Sequence, residues 1–171
     1  MSKDRSNIPQ ADTLMGSMRH MGYSFESAVA DVIDNCISAK CTTVKLFFPT
    51  EPTQEMVVGI LDDGEGMNEE TLFEAMRYGS SDSELERDEN DLGRFGLGMK
   101  SASLSQCRIM TVASLKAKKI NAFVWDFNYI KEKKKWIVKE LTLGEIKALP
   151  YIDLLKGYGH GTLVLWQDFE H

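Results

Sequence analysis

Only three cysteines occur in the 171 residues, Cys36, Cys41 and Cys107, and no two of them form a C-x-x-C pair. Histidine is equally scarce, with three residues, so the chain has neither a disulfide framework nor the ligand spacing of a structural zinc site. Reduced thiols in a cytoplasmic protein are the expectation. Long apolar runs are also missing. No stretch approaches the ~18 apolar residues of a membrane span, and the opening MSKDRSNIPQ has no apolar leader core, so no membrane partner is expected. Nor is there an excess of basic charge: the formal net charge is -6, which disfavours generic binding to nucleic acid or anionic lipid. What is present is the composition of an ordinary globular domain, 43% hydrophobic and 27% charged, in a chain long enough for one proper core. No repeat or low-complexity linker divides it, which predicts a single domain over 1–171 whose first ~12 residues are loosely held.

From Ser24 to Lys40, Phe25, Val29, Val32, Ile33 and Cys36 recur at three- and four-residue steps, the signature of an amphipathic helix. Residues 10–20 suit a short helix. TTVKLFF (42–48) and MVVGILDD (56–63) read as strands separated by the turn-forming PTEPTQ. NEETLFEAMRYG (68–79) reads as a helix begun by Asn68 and stopped by Gly79. The acidic SSDSELERDEND then leads as a loop into GRFGLGMKSAS (93–103), with a short helix over LGMKSASLSQ. RIMTVASL, INAFVWDF, KWIVKELT and GTLVLWQD carry the β-branched and aromatic residues of strands, and Trp125, Phe127, Trp136 and Trp166 are expected on them. A helical first half followed by strands predicts an α+β two-layer sandwich, helices on one face of a mainly antiparallel mixed sheet.

Three motifs carry chemistry. In DVIDN (31–35), Asp31 and Asn35 are four apart, so they lie only about 40° apart around a helix axis. A carboxylate and an amide oxygen one turn apart suit a water-activating base beside a magnesium ligand, although two solvated polar residues would show the same spacing. In LDDGEGM (61–67), Gly64 and Gly66 let a flat ring approach the backbone, and Asp62 can accept from an exocyclic amino group. A plain turn after a strand would also read this way. In GRFGLGMKSAS, Gly93, Gly96 and Gly98 run as G-x-x-G-x-G, the reverse of a dinucleotide fingerprint, and Met99 separates Gly98 from Lys100, which breaks a Walker loop. Amides at Gly96, Leu97 and Gly98 turning into a helix favour a phosphate, with Lys100 in reach; a ligand-free glycine hinge is the alternative.

The three motifs in this order, with a Gly161–Thr162 pair opening the last strand, resemble the GHKL ATPases: gyrase B, MutL, the ninety-kilodalton heat-shock chaperones, MORC proteins and sensor histidine kinases. The resemblance covers about Thr13 to Trp166, and GRFGLGMKSAS with YGSS (78–81) is most similar to MORC-like and stand-alone bacterial members. It implies a Bergerat fold that binds ATP with Mg2+. Asn35 would ligate the metal and Asp62 would hold the adenine amino group. Gly64, Gly66 and Met67 would shape the adenine pocket, and Thr162 would support Asp62 through water. Residues of about 79–98 would form a lid, where Gly93, Phe95, Gly96, Leu97, Gly98, Met99 and Lys100 meet the phosphates. Asp31 and Lys100 would serve hydrolysis to ADP and phosphate, coupled to lid closure, homodimerisation or movement of an attached or partner effector domain.

The pattern departs from the family in places. Hydrolytic members usually carry glutamate where this chain has Asp31, and the missing methylene withdraws the carboxylate by roughly 1.5 Å. Glu26 lies about 180° from Asn35 around the helix and Asp34 about 100°, so neither replaces Asp31. Ser38 stands where another acidic residue is frequent. Gyrase B and MutL add a following domain that sends a lysine into the site, so this chain is expected to be the first part of a longer protein or to need a partner. Two other functions are compatible with these motifs: a sensor histidine-kinase catalytic domain, and a nucleotide-gated interaction module without turnover. The lysine clusters KAKK (116–119) and KEKKK (131–135) could meet DNA, but the net charge favours solvated hairpin tips.

Overall fold

A computed structural model describes residues 2–5, 24–49, 55–76, 103 and 105–169. The first helix, α1 (Phe25–Ser38), begins where Ser24 caps it, its Oγ accepting from the Ser27 amide at 3.1 Å. Two strands follow, β1 (Val44–Phe47) and β2 (Val58–Asp62), then α2 (Glu69–Met76), with Asn68 Oδ1 accepting from the Thr71 amide at 2.8 Å. A long hairpin, β3 (Ile109–Lys116) and β4 (Lys119–Asp126), leads to α3 (Phe127–Lys133) and the two-residue β5 (Lys139–Glu140). Two short helices, α4 (Leu143–Lys147) and α5 (Ile152–Tyr158), precede the last strand, β6 (Gly161–Gln167).

The six strands form one sheet in the order β1-β2-β6-β3-β4-β5, and every neighbouring pair is antiparallel. The last strand is thus inserted between β2 and β3, which sets Thr162 opposite Asp62 on one side and opposite Ser114 on the other. Side chains alternate across the sheet. Val58, Ile60, Met110, Val112, Val164 and Trp166 face one core, closed by Ala28, Val32 and Cys36 of α1, Leu72 and Met76 of α2 and Ile130 of α3. Leu61, Ala113, Leu115, Leu163 and Leu165 face the other, closed by Ile146 of α4 and by Ile152 and Leu155 of α5.

This is the α+β architecture expected from the sequence. Two short helices, which the apolar pattern did not announce, add cover to the second face of the sheet. They are too short to show a 3.6-residue period; α4 is held instead by a capping box between Thr142 and Glu145. KAKK is a hairpin tip, with Ala117 and Lys118 both at positive φ in the two-residue turn. KEKKK is different: it forms the end of α3, closed by Lys134 in the left-handed conformation. Phe127 opens that helix and Trp136 lies in the loop after it, whereas Trp125 and Trp166 are on strands as expected. Within KWIVKELT only Lys139–Glu140 pairs as strand. Among the described residues no helix is long and apolar enough to cross a membrane. The expected helix over 10–20, the lid segment 79–98 and the loop residues Gly93, Phe95, Gly96, Leu97, Gly98, Met99 and Lys100 lie outside the described residues.

Candidate functional site

The end of β2 is the focus of the site. Asp62 is the last residue of that strand and only 2% exposed, an uncommon setting for a carboxylate. Its Oδ1 accepts from the Gly64 amide at 2.8 Å. Burial pushes its carboxyl above the ordinary aspartate range, while the Gly64 amide, the Cys36 thiol and the Thr162 amide pull it back by stabilising the anion. An ionised carboxylate offers about four acceptor positions, so three donors from the protein leave room for one from outside.

The neighbouring Asp63, just past the end of β2, is turned toward Thr42 and Thr43 instead. It accepts from the Thr42 amide at 2.8 Å, the Thr43 amide at 2.9 Å and the Thr42 hydroxyl, which hold its carboxyl below the usual range. Asp63 therefore fastens the turn to the start of β1 and leaves Asp62 as the carboxylate facing the site.

The glycine turn is folded against its surroundings on several sides. A Cβ at Gly64 would come 2.7 Å from the Ala39 carbonyl, and Gly66 has φ +71° with Leu115 O only 2.1 Å from where its Cβ would be. A larger residue at Gly64 would push the turn off the end of α1, and one at Gly66 would push it off β3. The Glu65 amide donates to Ala39 O at 3.0 Å, and the Met67 amide to Ser114 Oγ at 2.7 Å. Ser114 is fully buried; its Oγ lies 2.9 Å from Thr162 Oγ1 and 3.2 Å from Gly161 O. The Thr162 hydroxyl is thus engaged with Ser114, and it is the Thr162 amide that acts on Asp62.

Helix α1 brings the second group of residues. Its buried face carries Val32 and Cys36, and Asn35 beside Cys36 is 4% exposed. Asn35 Nδ2 donates to the Asp31 carbonyl at 3.3 Å, one turn back. That bond fixes the amide plane, and Asn35 Oδ1 is buried with no hydrogen-bond partner. A buried acceptor without a donor costs roughly 1–3 kcal/mol, which a bound cation or its water would recover. Among the described residues no three His, Cys, Asp or Glu side chains could hold a metal. One amide oxygen fits an ion that draws its other ligands from water and phosphate, as Mg2+ does. Asp31 is half-buried one turn before Asn35, its carboxyl raised by burial first and by the Asp34 charge second. Asp34 and Glu26 are exposed.

Asp62, Gly64, Gly66, Met67 and Thr162 therefore converge, joined through the Cys36 thiol on one side and the Ser114 hydroxyl on the other, and Asn35 directly precedes Cys36 on α1. Ser114, Cys36 and His160 were not foreseen as site residues. Ser114 had one signal, a hydroxyl inside the apolar run 109–115; Cys36 looked only like a member of the apolar stripe. Cys36 and Cys41 are free thiols, both pushed up by burial first and by the Asp62 charge second, so they are poor nucleophiles.

Residues 23–162 match the family model described as histidine kinase-, DNA gyrase B- and HSP90-like ATPase. The match spans α1, the Asp62 turn and the start of β6.

Proposed function

The chain belongs to the histidine kinase-, DNA gyrase B- and HSP90-like ATPases, an ATP-binding family, and from that premise we propose that it binds Mg-ATP between α1 and the end of β2 and hydrolyses it slowly. The observation that carries this is the pairing of a buried, incompletely satisfied carboxylate at Asp62 with a buried, unpartnered amide oxygen at Asn35. Asp62 accepts from the adenine amino group. Being an acceptor only, it selects adenine over guanine, whose matching edge presents a carbonyl. Gly64, Gly66 and Met67 bring the backbone up to the ring.

Asn35 Oδ1 is the protein ligand of magnesium, which when bound offsets charge on the phosphate oxygens. Asp31 orients and deprotonates the attacking water; its raised carboxyl makes it a stronger base than an ordinary aspartate. The loop from Gly93 to Lys100, with Phe95, Gly96, Leu97, Gly98 and Met99, closes over the phosphates as the end of a lid spanning about 79–98. Closure, with dimerisation, couples ATP to a change in an attached or partner domain. The GRFGLGMKSAS loop supports a place among MORC-like and stand-alone bacterial members.

The test is phosphate release from Mg-ATP against protein concentration, with binding followed by calorimetry and Asp31→Asn as control. Release rising more steeply than concentration, and absent in Asp31→Asn, is the expected result. Binding without release would point to a nucleotide-gated module or to a site completed by a following domain or partner, and no binding would refute the proposal.

A further inference from the structure

His160 precedes β6 and is drawn back onto the glycine turn: its Nδ1 lies 2.7 Å from the carbonyl oxygen of Gly64. A carbonyl oxygen only accepts, so Nδ1 carries the proton and donates. The N–H of the same peptide unit, that of Glu65, donates to Ala39 O at 3.0 Å. One peptide plane is thus gripped at both ends, by β6 through His160 and by the end of α1 through Ala39. On the other side of the same glycine, the Gly64 amide donates to Asp62 Oδ1 at 2.8 Å.

Glycine is the residue whose backbone is least restrained on its own, so the direction of the Gly64 amide has to be set by its neighbours. Ala39 restrains the plane from the helix side only. From the sheet side this peptide plane is held by the His160 side chain, which sits at the surface edge of the turn and is not needed to fill either core.

We infer that His160 is a positioning residue for adenine recognition: by holding the Gly64 carbonyl it fixes the turn that aims Asp62, and so sets the preference for a 6-amino purine. This rests on the proposed adenine role of Asp62. His160 touches no nucleotide itself. It acts through the turn, so its loss weakens binding of the amino-bearing base more than binding of a base that Asp62 cannot read.

The experiment compares ATP and inosine triphosphate binding by calorimetry in the full chain and in His160→Asn and His160→Leu. Asparagine keeps an N–H donor near the Nδ1 position, whereas leucine has a similar volume and no donor. Expected are a preference for ATP in the unsubstituted chain, its retention within about twofold in His160→Asn, and a loss of about tenfold in His160→Leu, the size of one hydrogen bond. A merely structural role would lower both nucleotides alike and leave their ratio unchanged. Equal ratios in the Asn and Leu variants would overturn the inference. Should the unsubstituted chain bind neither nucleotide, or both equally, the adenine role of Asp62 fails instead. If His160→Leu does not fold, amide hydrogen exchange at Glu65 decides. Protection in His160→Asn matching the unsubstituted chain supports the clamp, and faster exchange there despite the retained donor overturns it.

Discussion

Asn35 spends its amide N–H on the carbonyl of Asp31, 3.3 Å away on the same helix, and thereby leaves its oxygen buried and unpaired. In the site proposed above, that oxygen would be ordered before a metal ion arrives. Asn35→Ala removes both the helix bond and the orphaned oxygen, two changes of opposite sign. The unfolding midpoint without nucleotide should stay within a few degrees. The effect should appear in metal dependence: calorimetry with and without Mg2+ should show ATP affinity rising with the metal in the unsubstituted chain and indifferent to it in the variant.

Asp31 sits one turn before Asn35 on the same face of α1, half-buried, with its carboxyl raised by burial and by Asp34. That placement suits a base, but its side chain is a methylene shorter than the glutamate usual in hydrolytic relatives. Asp31→Glu should advance the carboxylate by roughly 1.5 Å and raise phosphate release. Because a misplacement of about 1 Å can cost on the order of a hundredfold, the gain should be readily measured in a steady-state assay. Asp31→Asn should abolish release and leave ATP affinity within a few fold. A rate unchanged in both variants would remove Asp31 from the chemistry.

Much of this fold was visible in the chain because its signals are periodic. The stripe Val29, Val32 and Cys36 predicted α1, and the β-branched runs around Ile60, Val112 and Val164 predicted their strands. The helices α4 and α5 were not visible, since segments as short as Leu143–Lys147 are set by capping and by contact with the sheet rather than by period. The site divides similarly. Asp62, Gly64 and Gly66 are contiguous, and Asp31 and Asn35 share one helix face, so spacing alone grouped them. Ser114 and His160 reach the same turn from residues 47 and 96 positions away, through a register that exists only once β6 lies between β2 and β3. No local pattern carries that information.

The pH dependence of Asp62 has opposite signs for folding and for binding. Burial is the dominant influence and raises its carboxyl above 3.8. A raised carboxyl holds its proton more tightly in the native state than in the unfolded chain. Its contribution to stability is then fully present below 3.8 and is lost as pH rises through the folded value. Binding runs the other way, because only the ionised carboxylate accepts at every position. ATP affinity should therefore fall as pH drops through the folded value, starting at a higher pH than for an exposed aspartate. Calorimetry between about pH 7 and pH 4 should show this fall in the unsubstituted chain. Asp62→Asn should bind at least about tenfold more weakly at neutral pH, and its profile should lack this component. Parallel profiles in the two proteins would exclude Asp62 as the titrating group.

Ser114 is the strongest structural prediction, since its hydroxyl serves three partners in a fully buried position: the Met67 amide at 2.7 Å, Thr162 Oγ1 at 2.9 Å and Gly161 O at 3.2 Å. Ser114→Ala deletes the oxygen and leaves the Met67 N–H without its acceptor. Leaving one such group unsatisfied costs about 1–3 kcal/mol. For a domain of this size each kcal/mol lowers the unfolding midpoint by roughly 2–4 °C, so a fall of about 2–12 °C is expected by calorimetry. The same deletion frees the Met67 end of the glycine turn proposed to meet the adenine, so ATP should bind more weakly while the Asp62-dependent pH profile persists. Loss of stability with unchanged ATP affinity would mean that Ser114 supports the sheet and not the turn.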